Sequence, residues 1–203
     1  MSSPFARSAL TVFATLTLIT MIVVAQSLVP DETLATQPIA YSGEMGEPVD
    51  ARQFTITAEK VRVAEAVSDE DGLGTSGPIE ANGVWVVATV EITATRAPLL
   101  NTDAELVMSD GYVYSTTGWL SNGLAGGFGA TLDPGIPVTG MLVFEVPEDR
   151  LKDPTLQVNA RESLDDRLSA RADIDLGLSG AELDRLLADP EQSIAVPAPA
   201  QTP

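Results

Sequence analysis

The chain contains no cysteine and no histidine. The first absence excludes a disulfide framework, so the fold must be held by its hydrophobic core alone. It also removes a lipidated cysteine as a tether. The two together exclude zinc sites of the Cys/His kind, thiol redox chemistry and every catalytic triad that uses a histidine base. Lysine is nearly missing as well: Lys60 and Lys152 stand alone, and neither follows a serine at the S-x-x-K spacing of an acyl enzyme. With 11 basic against 29 acidic residues, the net charge is −18. Such a surface repels polyanions, which excludes nucleic acid as a partner. The plain reading of the charge is solubility of an exported domain.

What is present begins with grease. From Ala9 to Val29 the chain reads ALTVFATLTLITMIVVAQSLV, without a charge. A helix of that length spans about 31 Å, close to the hydrocarbon thickness of a bilayer. Arg7 precedes it, and Asp31 and Glu32 follow Pro30. The positive-inside rule then predicts a single-pass anchor with the amino terminus cytoplasmic and the remainder extracellular. Ala25-Gln26-Ser27 offers a small-x-small cleavage site. The alternative is therefore a signal segment, cleaved near Ser27 to release a secreted domain. The uncleaved anchor is the preferred expectation, with the membrane as a partner through this helix.

The order of segments follows from composition. Residues 1–8 form a short cytoplasmic segment, 9–29 the helix and 30–52 a flexible stalk rich in proline and acids. Residues 53–189 carry the folded domain, and 190–203 form a disordered tail with Pro190, Pro197, Pro199 and Pro203 among small residues. Within the domain the dominant period is two. Phe54, Ile56 and Ala58 alternate with polar residues, and the parity then shifts to Val61 and Val63, which predicts a bulge near Glu59-Lys60. Val84, Val86, Ala88, Val90 and Ile92 share a face, with Trp85, Val87, Thr89 and Glu91 on the other. Ser109-Asp110-Gly111 between 105–108 and 112–115 predicts a hairpin. Leu142, Phe144 and Val146 alternate up to Pro147; Leu156 and Val158 begin another strand; Ala172, Ile174, Leu176 and Leu178 make the last. About seven such strands predict an all-β, immunoglobulin-like sandwich. Ser179 to Glu182 has capping-box spacing, and Leu183, Leu186 and Leu187 share a helical face.

The segment LDPGIPVTGMLVFEVP, Leu132 to Pro147, joins a Pro-Gly turn to a strand closed by Val-Pro. With NGVWVVATVEITAT and ELVMSDGYVY upstream, it resembles the telokin-like, immunoglobulin-like domains of actinobacterial exported proteins, over roughly 43–178. The resemblance implies a bacterial cell-surface β-sandwich. Its motifs are turn and core residues, and it brings no catalytic residues. Thr93-Ala94-Thr95-Arg96 departs from the asparagine pattern the family often has after this strand.

Chemistry is mostly absent. Asp69-Glu70-Asp71-Gly72 fails the EF-hand pattern, because Val67 and Pro78 stand where acids are needed. That leaves a weak, irregular calcium site against a solvated loop, and the solvated loop is preferred. Gly126-Gly127-Phe128-Gly129 lacks the residues of a phosphate-binding loop. Among 29 acids, close pairs such as Asp165-Asp166 or Asp173/Asp175 carry no catalytic information. The reading is not an enzyme and no cofactor. The one suggestive region is the long loop Thr117 to Ile136, which carries Trp119, Leu120, Leu124 and Phe128 among glycines. Its aromatics either plug the end of the sandwich, the preferred reading, or form a docking patch for a partner. The functional expectation is a membrane-anchored, surface-exposed, non-catalytic interaction domain for a protein or envelope partner. The alternative is a structural or assembly accessory of a cell-envelope complex.

Overall fold

The computed structural model describes residues 4–27, 37–70, 77–125, 131–161 and 169–202. It divides into two units, Met1–Gln37 and Pro38–Pro203.

Among its described residues the first unit holds one helix, α1 (Pro4–Ser27). Thr17 and Thr20 turn their hydroxyls inward, donating to the carbonyls of Phe13 and Leu16 at 2.9 Å each. Among the described residues, no helix is long and apolar enough to cross a membrane. Thr15, Thr17 and Thr20 interrupt the apolar side chains along α1. The transmembrane anchor expected at 9–29 is corrected accordingly. The single-pass topology, the membrane-anchored function and the membrane as a partner fall with it.

The second unit is a two-sheet sandwich, as the period of two implies. One sheet has the order β1 (Ile39–Glu44), β9 (Ala170–Asp175), β8 (Thr155–Arg161), β5 (Asn101–Val107), β6 (Val113–Ser115). The other runs β10 (Ile194–Val196), β3 (Phe54–Asp69), β4 (Ile79–Ala94), β7 (Pro137–Val146), β11 (Ala200–Gln201), with β2 (Val49–Asp50) also on β3. Most pairs are antiparallel, but β1 runs parallel to β9 and β10 parallel to β3. Those two edges depart from the purely antiparallel sandwich of an immunoglobulin domain.

The alternation assigns faces as the sequence predicts. Val84, Val86, Ala88, Val90 and Ile92 of β4 lie in the main core with Phe54 and Ile56 of β3 and Leu142, Phe144 and Val146 of β7. The facing sheet contributes Leu106, Leu156, Val158, Ala172 and Ile174. The register of β3 against β4 slips between Ala58 and Lys60, where the parity change predicts a bulge, and again between Ala64 and Ala66. The predicted hairpin forms between β5 and β6, with Gly111 at φ +87° in the left-handed region its turn requires.

Two segments expected to be irregular are strands. β1 and β2 fall inside the predicted stalk, and β10 and β11 inside the predicted disordered tail. The tail is ordered because the six-stranded sheet is apolar on its outer face too. Trp85, Val87 and Val143 point away from the main core and form a second cluster with Ala64, Val67, Leu120, Ile194 and Val196. Burying side chains of this size stabilises by roughly 1.5–3 kcal/mol each, which outweighs the ordering of a short proline-rich segment. The indole N–H of Trp85 is satisfied by the carbonyl of Ile79 at 2.9 Å.

After β9 comes α2 (Gly180–Ala188). Ser179 stands at its N-cap in extended conformation, but its side chain caps nothing; the Glu182 amide bonds the Ser179 carbonyl instead. Leu183 is buried in the main core, and Leu186 and Leu187 pack against it.

Candidate interaction site

The loop after β6 contains the four residues singled out by sequence, and the structure separates their roles. Leu124 is fully buried and sits over Gly140 of β7, where a Cβ would stand 3.0 Å from the Cβ of Leu124. A Cβ at 140 would press on Leu124, which would have to shift by a few tenths of an ångström. Leu120 is buried in the second cluster. Trp119, between Thr117 and Leu120, is 71% exposed. The plug role expected of Trp119 therefore belongs to the two leucines. Phe128 lies outside the described residues.

The loop is braced as well as plugged. The two carboxylate oxygens of Asp69, near the end of β3, accept the backbone N–H groups of Ser121 at 2.9 Å and Asn122 at 3.0 Å. The Asn122 side-chain amide donates to the carbonyls of Glu70 and Val196, both at 2.9 Å. The amide of Thr117 bonds the Val143 carbonyl, and that of Leu124 the Met141 carbonyl. Trp119 thus projects from a loop fixed at both ends. Sequence reasoning reads Asp69 as part of a solvated or calcium-binding run. Its carboxylate is instead the loop's clamp, and Asp71 lies outside the described residues. No cluster of three or more acidic residues that could hold a metal occurs among the described residues.

The concavities elsewhere include two that are lined by more than one arginine. A groove of about 660 Å³ runs beside α2, lined by Val61, Leu176 and Leu186 with charges of both signs. Two of its charge pairs meet directly, Arg62 with Glu191 at 3.4 Å and Arg185 with Glu182 at 2.6 Å. A smaller hollow of about 200 Å³ is lined by Tyr41, Arg52, Gln53, Arg96 and Ser169. Neither contains a nucleophile set beside a base.

The chain belongs to the DUF4352 family, a domain of unknown function, which matches residues 43–167. No curated protein matches the chain. Three solved structures are similar in fold. An uncharacterized β-sandwich protein from Clostridium difficile 630 is 16% identical, covering 68% of this chain and 95% of its own, with a TM-score of 0.43. The yjhA protein from Bacillus subtilis is 19% identical, covering 65% and 99%, with a TM-score of 0.44. The secreted protein MPT63 from Mycobacterium tuberculosis is 20% identical, covering 68% and 97%, with a TM-score of 0.40.

Proposed function

We propose that the unit Pro38–Pro203 is a non-catalytic interaction domain that docks a protein partner through Trp119. The observation that carries this reading is the exposure of a 71%-exposed indole on a loop whose neighbours are buried or hydrogen-bonded. Exposing so large an apolar surface is unfavourable in the isolated domain, and burial at an interface recovers it. Tryptophan is among the commonest binding hot spots, and fixing it beforehand lowers the entropy cost of association. The resemblance of 43–178 to telokin-like domains of actinobacterial exported proteins supports placing the domain outside the cytoplasm, with a partner in the cell envelope.

The test is site-specific photocrosslinking in intact cells, with a benzophenone amino acid at position 119 or at the exposed control Glu47. A discrete adduct from 119 alone supports the proposal. Adducts from neither position, or equally from both, overturn it. Trp119→Ala should leave the melting temperature unchanged, because an exposed side chain contributes within about 0.5 kcal/mol.

A further inference from the structure

The smaller hollow has a chemistry unlike the rest of this acidic molecule. It lies where the turn before β3, the residues after β4 and the start of β9 converge, the amides of Thr95 and Ala170 bonding the backbone and side-chain oxygens of Gln53 respectively. Two guanidinium groups, Arg52 and Arg96, line it together with the phenol Tyr41. Neither arginine has an ion-pair partner among the described residues. Every other arginine with a described side chain has one: Arg62 with Glu191, Arg150 with Asp110, Arg171 with Asp173 and Arg185 with Glu182. In a chain of net charge −18, carboxylates are abundant. Two arginines in one hollow with no ion-pair partner among the described residues are therefore the exception.

A second observation points the same way. Ser169, which also lines the hollow, is only 7% exposed, and its hydroxyl is buried with no hydrogen-bond partner. A buried hydroxyl without a partner is destabilising unless something outside the chain accepts from it. A third concerns the backbone. Arg52 adopts φ +68°, a left-handed conformation unfavourable for a residue with a Cβ, and its amide is held by the Asp50 carboxylate at 2.9 Å. That conformation belongs to the tight turn between β2 and β3, which sets where the Arg52 side chain leaves the backbone.

We infer that this hollow is an oxyanion-binding site, in which Arg52, Arg96 and the Ser169 hydroxyl donate to a carboxylate or phosphate group. All three are donors. Guanidinium forks match the paired oxygens of both anions, and the Ser169 hydroxyl gains the acceptor it lacks. A hollow of about 200 Å³ accommodates a single such group with little of the molecule that bears it. The site is independent of Trp119.

The experiment is a titration of the full chain with inorganic phosphate and, separately, with succinate, followed by amide chemical shifts in low salt. Saturable shifts centred on Gln53 and Ala170 are expected. Response to phosphate alone assigns a phosphate ester, and response to succinate alone a carboxylate; response to both assigns the oxyanion they share. Arg96→Gln should weaken binding at least fivefold, and Lys152→Gln, a cation outside the hollow, should leave it unchanged. Ser169→Ala separates binding from packing: binding falls while the melting temperature holds or rises, since an unsatisfied hydroxyl has been removed. Absence of saturable shifts with both anions overturns the site. So does retention of full affinity by Arg96→Gln, or a Ser169→Ala variant that melts lower and binds as before.

Discussion

Asp69 illustrates how one carboxylate can look like a different thing in the sequence and in the fold. In the run Asp69-Glu70-Asp71-Gly72 it is one acid among several, and nothing local distinguishes a clamp from a solvated charge. Its partners, Ser121 and Asn122, lie more than fifty positions away, so only the tertiary fold supplies the two amides it accepts. Arg52, Arg96 and Ser169 are hidden for the same reason, being brought together from three separate turns. The leucines at 120 and 124 were legible as apolar, but which residue of the loop faces outward depends on Gly140 leaving room for Leu124. Asp69→Ala removes two charge-assisted hydrogen bonds at a partly exposed site and should destabilise by about 1–2 kcal/mol. The thermal midpoint should fall by several degrees, with faster hydrogen exchange at Ser121 and Asn122. An unchanged midpoint with unchanged exchange would remove the clamp from this account.

Strands were the most legible level. β3, β4 and β7 each declare their inner face through alternation, and the parity change after Ala58 marks the first bulge, because a period of two tolerates no silent insertion. The second irregularity, where Ala64 faces Trp85 but Ala66 faces Glu80, is unmarked: the extra residues, 81–84, lie on β4, and no parity change in β3 announces them. Composition misleads at β10. Proline and alanine around it argue for disorder, yet Trp85, Val87 and Val143 on the outer face of the sheet require a cover. The signal was present in the unusual hydrophobicity of both faces of β4, which marks a strand covered on both sides. Terminating the chain after Asp189 should cost about 3–5 kcal/mol from the lost burial of Ile194 and Val196. In a Trp119→Phe background, the remaining Trp85 emission should shift to the red as its indole meets water. Emission that stays blue would mean that Trp85 is sealed by something other than β10.

At the scale of the molecule, the absence of cysteine leaves packing alone to hold the sandwich, and the packing is arranged in two clusters on either side of one sheet. The sandwich class follows from strand count and turn spacing. The two parallel edge pairings do not, since alternation is blind to strand direction. For the amino-terminal segment, sequence favours an anchor, whereas no described helix meets the requirement for crossing a bilayer. The alternative reading, release after cleavage near Ser27, predicts a secreted chain whose intact mass begins within a few residues of Leu28. Mass spectrometry of protein recovered from the culture medium decides it: a chain still carrying residues 1–27 would refute cleavage.

The parallel pairing of β10 with β3 also has a temporal meaning. β10 is synthesised after every strand of the face it covers, and its register against Val67–Asp69 needs β3 already in place. A nascent chain emerging amino terminus first must therefore carry a bare indole at Trp85 until residues beyond 194 have cleared the ribosome or a secretion pore. During that interval the outer face of the half-finished sheet stays open, and arrival of the closing strand seals it.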